Sequence, residues 1–404
     1  MVNKMVVSYK TELKPTKQQI EIFERDLLTC RKVYNLYLTI ALKQLKTSGC
    51  YGKYDDFLIW FYKSYMRNPK YNSQYTGILN KDAIRNVCKN ADKSLSMYSR
   101  GKIPEPKTKD LKKGRIKLYF LSQKQSVYTV ICERHRIFIP FYGWIRLKEK
   151  GYIPTDNESE KIISGSISEK AGRYFVSVNV ERSDPMRTSH PGKPAHAGEG
   201  IGIDLGLNHF AVLSDGRVYE SINKGETIKR VNKHIFKLQR ALKRKLLSHV
   251  EANSDYLSGK NFEKNSKSLA VKYKRSDDIR ENFINNVISD IISTDPKYIA
   301  IEDLHVRDMV KERNYSRAVS EQTFREFRIK LQKKCLLNGI ELRIINRWFP
   351  SSKRCHNCGR IKKNLRNSDR IYKCTCGYIA DRDFNASLNI RDTKDYYVFK
   401  LDGT

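Results

Sequence analysis

Three carboxylates in the C-terminal half of the chain stand where a fold could aim them at one point. Asp204 closes the apolar run Ile201-Gly202-Ile203-Asp204-Leu205-Gly206, and Glu302 closes a second, Tyr298-Ile299-Ala300-Ile301-Glu302-Asp303. Asp383 falls in Asp381-Arg382-Asp383-Phe384-Asn385-Ala386, at what reads as the start of a short helix. Strand ends and helix starts are rigid platforms. Three carboxylates converging from them repel one another unless divalent cations lie between them, which is the layout of a two-metal site for phosphodiester cleavage. A second constellation is Cys355-x-x-Cys358 followed, after fifteen residues, by Cys374-x-Cys376-Gly377. Two short cysteine pairs supply four thiolates, the composition of a zinc ribbon. The second pair is C-x-C rather than the usual C-x-x-C, which tightens that knuckle. Four thiolates leave no open coordination position, so the zinc expected at Cys355, Cys358, Cys374 and Cys376 is structural rather than catalytic.

The elements that must position these groups follow from periodicity. Residues 200–207 read as a strand, and Phe210–Leu213 pairs with Val218-Tyr219 as a hairpin across Ser214-Asp215-Gly216-Arg217. A long basic helix spans about 227–247, with an apolar stripe of Ile228, Val231, Ile235, Leu238 and Leu242. Lys229, Arg230, Lys233, Lys237, Arg240, Lys243, Arg244 and Lys245 then remain for solvent or nucleic acid. A further helix runs through Phe283, Val287 and Ile291, a buried strand covers 297–301, a helix from Ser320 stops at Gly339, and Leu342–Ile345 is another strand. This order is compatible with an RNase H-like α/β domain.

The N-terminal half is organised differently. Met5 to Leu13 reads as a strand, broken at Lys14-Pro15-Thr16. Thr16 with Gln19 forms a capping box for a helix to about Leu45. Two more helices follow, about 54–66 and 80–98. On the third helix, Lys81, Arg85 and Lys89 share one face, and a phosphate backbone would relieve their repulsion. From about Arg115 the period changes to two, giving four short strands and a hairpin around Lys170-Ala171-Gly172-Arg173. We read residues 1–15 and 102–181 as a small β-barrel with residues 16–101 inserted as a helical module. Residues 182–199, rich in Pro, Gly, Ser and His, read as a linker, and 392–404 as a C-terminal tail. The fold class is thus α+β and multidomain.

Composition points to a polyanionic partner. The chain has 78 Lys+Arg against 44 Asp+Glu, a formal charge of +34. Such an excess favours nucleic acid through counterion release and confers affinity without sequence choice. Hydrophobic residues make up 39% of the chain, which excludes a disordered basic tail. Basic residues also flank the cysteines, notably Lys353 and Arg354. Neither a signal peptide nor a membrane span is recognisable, so we expect a cytoplasmic protein without a membrane partner or a small-molecule substrate. In that compartment nine cysteines do not suggest disulfides; Cys30, Cys50, Cys88, Cys132 and Cys335 read as core or neutral positions.

Taken together, Gly202-Ile203-Asp204-Leu205-Gly206, Ile301-Glu302-Asp303-Leu304, Trp348-Phe349-Pro350-Ser351-Ser352-Lys353-x-Cys355-x-x-Cys358-Gly359 and Asp381-Arg382-Asp383-x-Asn385-Ala386-x-x-Asn389-Ile390 resemble the TnpB family. These are insertion-sequence proteins, relatives of the compact type V CRISPR nucleases. The resemblance is strong over about 200–391 and rests on element order in the N-terminal half. It implies a wedge-like barrel, a helical recognition insert, and a RuvC nuclease domain over 200–350 and 378–391 with the ribbon, 351–377, nested inside. It also implies a guide RNA derived from the transposon end and cleavage of double-stranded DNA beside a short adjacent motif. On this resemblance Asp204 is the first catalytic acid and Glu302 the second. Asp381 and Asp383 are both candidates for the third. We take Asp383, two places before Asn385, and expect Asp303 to point away from the site. Two Mg²⁺ ions would be held by Asp204, Glu302 and Asp383. Two other classes compete. A guide-dependent repressor with a dead nuclease would lack an acid that this chain keeps. An RNA-independent DNA transposase is not excluded by three acids alone.

Overall fold

In the computed structural model the described residues are 5–65, 80–111, 115–122, 129–155, 160–182, 198–251, 260–303, 323–366 and 369–399. The expected linker falls almost wholly outside them, as do Met66 and Ser320, the expected end and start of two helices. The chain divides into two compact units, Met1–Asp184 and Pro185–Thr404.

In the first unit, strand β1 (Met5–Lys14) buries Val7, Thr11 and Leu13 and exposes Val6, the period-two pattern of a strand covered on one face. Thr16 then opens helix α1 (Lys17–Ser48) with the expected capping box. Gln19 N donates to Thr16 Oγ1 at 3.3 Å, and Thr16 N donates to Gln19 Oε1 at 3.0 Å. The helix runs a few residues past its expected end and stops at Gly49, which takes a left-handed φ of 71°. Helix α2 (Tyr54–Trp60) passes into a π turn over Phe61–Tyr65, and helix α3 (Lys81–Ser99) is capped by Asn80, whose side chain accepts from Ala83 N at 3.0 Å. Strands β2 (Lys117–Leu121), β3 (Ile131–Cys132), β4 (Arg136–Ile139), β5 (Gly143–Leu147), β6 (Glu160–Lys170) and β7 (Arg173–Arg182) follow. Ala171 and Gly172 turn β6 into β7 with φ of 57° and 76°, the left-handed pair that suits the twist of a tight hairpin.

These strands form one antiparallel sheet in the order β2-β6-β7-β1-β5-β4-β3. Among the described residues no ladder joins β2 to β3, so the expected barrel is not closed by strand pairing. Its two edges instead meet where Val130 N donates to Ser122 Oγ at 3.0 Å. The inserted helices and the sheet share one core: Phe23, Val33 and Leu38 of α1 and Ile84, Val87 and Leu95 of α3 are clustered with Leu118, Ile137, Ile167 and Val178.

The second unit is an α/β layer structure. Strands β8 (Ile201–Leu205), β9 (His209–Leu213) and β10 (Val218–Glu220) are followed by helices α4 (Glu226–Glu251) and α5 (Lys260–Ser293), strand β11 (Tyr298–Glu302), helix α6 (Phe324–Asn338) and strand β12 (Glu341–Ile345). A small hairpin, β13 (Ile371–Lys373) and β14 (Ile379–Asp381), leads directly into helix α7 (Arg382–Asp392). With a last strand, β15 (Tyr396–Val398), the sheet order is β10-β9-β8-β11-β12-β15, with β8, β11 and β12 parallel. Parallel strands are covered on both faces and so read as continuous apolar runs. Helices α5 and α6 cover one face through Ile284, Val287, Ile291, Phe327 and Leu331, packed with Ile203 and Ile301. Helix α7 covers the other, where Ile390 clusters with Ala300 and Ile345. Residues 392–404 are not simply a tail. Strand β15 (Tyr396–Val398) pairs antiparallel with β12 and forms the sheet's edge. Among the described residues no helix is long and apolar enough to cross a membrane.

Candidate active site and metal-binding ribbon

Two of the three acids owe their positions to strand register. Gly202 pairs with Ala300 and Ile203 with Ile301, so one further step sets Asp204 beside Glu302 at the C-terminal ends of two parallel strands about 4.8 Å apart. Paired residues of parallel neighbours point to the same face. Ile201, Ile203, Ile299 and Ile301 fill the core on one side. Gly202, Asp204, Ala300 and Glu302 therefore face the other, where α7 lies.

The third acid arrives on that helix. A Cβ added to Gly202 would stand 2.1 Å from Ser387 O and 2.6 Å from Arg391 N, so α7 rests directly on the strand backbone. Asp383, Ser387 and Arg391 are spaced i, i+4, i+8 and share this face. The four helical residues from Ser387 back to Asp383 cover about 6.0 Å, and two strand residues from Gly202 on to Asp204 cover about 6.7 Å. The two steps match, and both end at the same place.

Glu302 and Asp383 lie near enough for their charges to act on Asp204. The Asp204 carboxyl is held well above the usual carboxylate range, first by burial, then by the negative charges of Glu302 and Asp383; Arg382 opposes the rise and Asp381 adds the smallest contribution. Burial also raises Glu302, against the pull of a hydrogen bond from Ser351 Oγ to its Oε1. Asp381 has a different task. Its Oδ1 accepts from Asp383 N and Phe384 N, each at 2.9 Å, and so caps α7. The Arg370 guanidinium lies 3.8 Å from Asp383 Oδ2. Asp303, as expected, turns away, pairing with Arg328 and lying 3.9 Å from Arg347. Carboxylates gathered this way are hard oxygen donors in need of positive charge and suit Mg²⁺, although among the described residues only the four cysteines below stand close enough together, as placed, to hold an ion.

The ribbon brings its four cysteines together. Cys355 Sγ lies 3.7 Å from Cys376 Sγ, Cys358 Sγ lies 3.6 Å from Cys374 Sγ, and all four sulfurs are within 4.8 Å of one another. Zinc–sulfur bonds of about 2.3 Å give a tetrahedron with edges near 3.8 Å, so the four thiols fit such an ion. Burial pushes the Cys355 thiol up to about 12, whereas a backbone N–H at Tyr378 draws Cys376 down to about 6. Tyr372, fully buried, ties the ribbon together by donating to Lys353 O at 3.1 Å.

Sequence reasoning named Gly202, Ser351, Asn385 and Asn389 within motifs but gave them no structural role, although they pack around the proposed acids. The i, i+4 spacing of the two asparagines was the available signal. Of the basic residues singled out above, Lys245 is half-buried and the others are exposed. Arg85, however, is paired with Asp55 at 3.0 Å, Lys81 lies over the Tyr62 ring, and Lys229 meets Glu226 at 2.9 Å.

Comparison with known proteins agrees with this architecture. Residues 324–390 match the "Cas12f1-like, TNB domain" family, 176–313 the OrfB_IS605 family described as "Probable transposase", and 1–50 a "Helix-turn-helix domain" of OrfB_IS605. The structure of that last region is strand β1 followed by the single helix α1. The chain is 33% identical over 222 residues to a "Putative RNA-guided DNA endonuclease" of Streptomyces pristinaespiralis, covering 55% of this chain and 50% of that protein. It is 24% identical over 403 residues to the "Putative RNA-guided DNA endonuclease InsQ" of Escherichia coli K12, covering 96% of this chain and 92% of that protein. The chain thus spans half the length of the first relative and nearly all of the second. A solved Cas12f1–sgRNA–target DNA complex aligns with 98% of this chain and 100% of its own, with a TM-score of 0.53 at 13% identity. The matched families and relatives support a TnpB-family protein, and the fold is like that of the type V nucleases.

Proposed function

We propose that the chain is an RNA-guided endonuclease that cleaves double-stranded DNA beside a short adjacent motif, using one RuvC-type site. The observation that supports this is the placement of Asp204 and Glu302 at the ends of the paired strands β8 and β11 and of Asp383 at the start of α7, near enough for the charges of Glu302 and Asp383 to act on Asp204. When bound, two Mg²⁺ ions supply the charge that activates water and stabilises the leaving oxygen. Asp204, Glu302 and Asp383 supply the oxygens that hold them, and Asp381 fixes the helix turn from which Asp383 projects. One site cuts one strand at a time, so the two DNA strands are cleaved in sequence.

The charge balance implies the guide. A chain at +34 carries far more cations than its acids can pair, and a structured RNA from the transposon end supplies the missing anions. Sequence choice then comes from base pairing, while the protein reads duplex shape and the short motif. The exposed basic face of α4, the α3 face of Lys81, Arg85 and Lys89, and Lys353-Arg354 are the proposed contacts to RNA or DNA. The test is purification followed by sequencing of co-bound RNA, then exchange of the guide. The protein should carry a transcript, lose specific cutting after ribonuclease treatment, and follow a new spacer to the matching DNA. Cleavage of one fixed DNA sequence by RNA-free protein, unchanged by guide exchange, would point instead to an RNA-independent transposase.

The ribbon is proposed to hold one structural zinc. Zinc should co-purify at about one ion per chain, measurable by elemental analysis. Cys355→Ser or Cys374→Ser should lose it and unfold the ribbon, because metal binding and folding are coupled in such modules. A zinc-free wild-type protein with a protease-resistant ribbon would contradict the assignment.

A further inference from the structure

We propose that Ser351 is a positioning residue for the Glu302 carboxylate, and that Asn385 and Asn389 hold it in place by fastening the first cysteine knuckle to the helix that carries Asp383. The inference rests on the metal-dependent cleavage proposed above. Ser351 is 6% exposed, and its hydroxyl donates to Glu302 Oε1. Its carbonyl accepts from Asn389 Nδ2 at 2.8 Å, and the same amide donates to Arg354 O at 2.7 Å. Asn385 brackets Cys355: its Nδ2 donates to Arg354 O at 2.8 Å, and its Oδ1 accepts from His356 N at 3.1 Å.

Asparagine is a poor choice for a helix interior, and burying its amide is costly unless the amide is hydrogen-bonded. Asn385 and Asn389 are nevertheless 0% and 5% exposed within α7. Their bonds run outward to the ribbon, so α7 has a polar face as specific as its apolar one. Asp383, Ser387 and Arg391 lie toward β8, Ala386 and Ile390 enter the core, and Asn385 and Asn389 grip the knuckle. A folded knuckle thus fixes two acids at once, Asp383 through the helix and Glu302 through Ser351. A hydroxyl held on Oε1 sets the rotation of the Glu302 carboxylate and presents its other oxygen to the cation. Partners of this kind around metal ligands govern metal affinity more than protein stability.

The test uses the intact ribonucleoprotein with Ser351→Ala, Asn389→Ala and Asp204→Ala. Zinc content, target binding, Mn²⁺ binding by electron paramagnetic resonance, and single-turnover cleavage against Mn²⁺ concentration are measured for each. Ser351→Ala should keep its zinc and bind target normally. Its half-saturating Mn²⁺ concentration should rise about tenfold or more in both the binding and cleavage assays, with the rate largely restored at saturating metal. Asn389→Ala should shift in the same direction. If it loses zinc, the Ser351 variant alone decides. An unchanged Mn²⁺ dependence for Ser351→Ala beside a dead Asp204→Ala would overturn the positioning role while leaving the site intact. Normal cutting by Asp204→Ala would overturn the metal-site reading itself.

Discussion

Asp204→Ala should abolish DNA cleavage while leaving RNA and target binding intact. It removes a proposed metal-binding oxygen and very little surface. Loss of several kcal/mol of transition-state stabilisation corresponds to a rate at least ~10³-fold lower. Glu302→Ala and Asp383→Ala should behave alike in a cleavage assay paired with a binding assay. Asp381→Ala should lose only a helix cap, about 1 kcal/mol, and retain measurable cutting. Normal cleavage by Asp383→Ala together with a dead Asp381→Ala would reverse the assignment of the third acid. The same substitution should have an opposite effect on stability. In the metal-free folded protein, burial and its acidic neighbours make Asp204 hold its proton to higher pH than the value near 4 of an unfolded chain. Its ionisation therefore opposes folding, not at all below about pH 4 and increasingly as pH rises toward the raised value. Metal-free Asp204→Ala should accordingly melt higher than wild type at pH 7 and about equally at pH 4, as read by scanning calorimetry.

Gly202→Ala should cost nearly as much activity from a position that bears no functional group. The new methyl group would meet the Ser387 carbonyl at 2.1 Å, and backbone cannot swing aside as a flexible side chain can. Restoring ordinary contact requires α7 to lift by about 1 Å, and a displacement of that size can slow a positioned reaction ~10²-fold. Overpacking should also destabilise the unit by about 1–3 kcal/mol. Cleavage should therefore fall at least ~100-fold while zinc and guide RNA remain bound. A variant that cuts at the wild-type rate would show that α7 does not sit on β8 during catalysis.

The acids were legible in the sequence because each ends a short apolar run or opens a helix, signals carried by adjacent residues. The choice between Asp381 and Asp383 was not, since both precede the same helix. The structure gives Asp381 a local task, since its φ of −56° and ψ of 141° turn its side chain back onto the first turn, and Asp383 therefore remains the acid we propose. Ser351 and Asn389 are 38 positions apart, and no period or local pattern links them. The capping box at Thr16 and the hairpin at Ala171-Gly172 were visible because the residues that make them are neighbours. The edge strand Tyr396–Val398 has only three residues, too short for alternation to declare itself. Closure of the first sheet depends on register between distant strands, which side-chain pattern does not encode. Lys81, Arg85 and Lys89 do share an exposed face of α3. The charge that Asp55 places against Arg85 comes from another helix and could not be seen from spacing.

The order of strands in the first unit also sets a timetable for synthesis. Strand β1 leaves the ribosome before the other strands of its sheet, yet its long partner is β7, with Met5 opposite Arg182. At translation rates of about 5–20 residues per second, the N-terminal strand waits on the order of 10–35 s before that ladder can form. Helices α1 to α3 have local hydrogen bonds and can form during the wait; the sheet cannot. An alternating strand with unpaired edges is thus exposed on a chain rich in Lys and Arg, whose mutual repulsion, or early capture of RNA, would keep nascent copies apart.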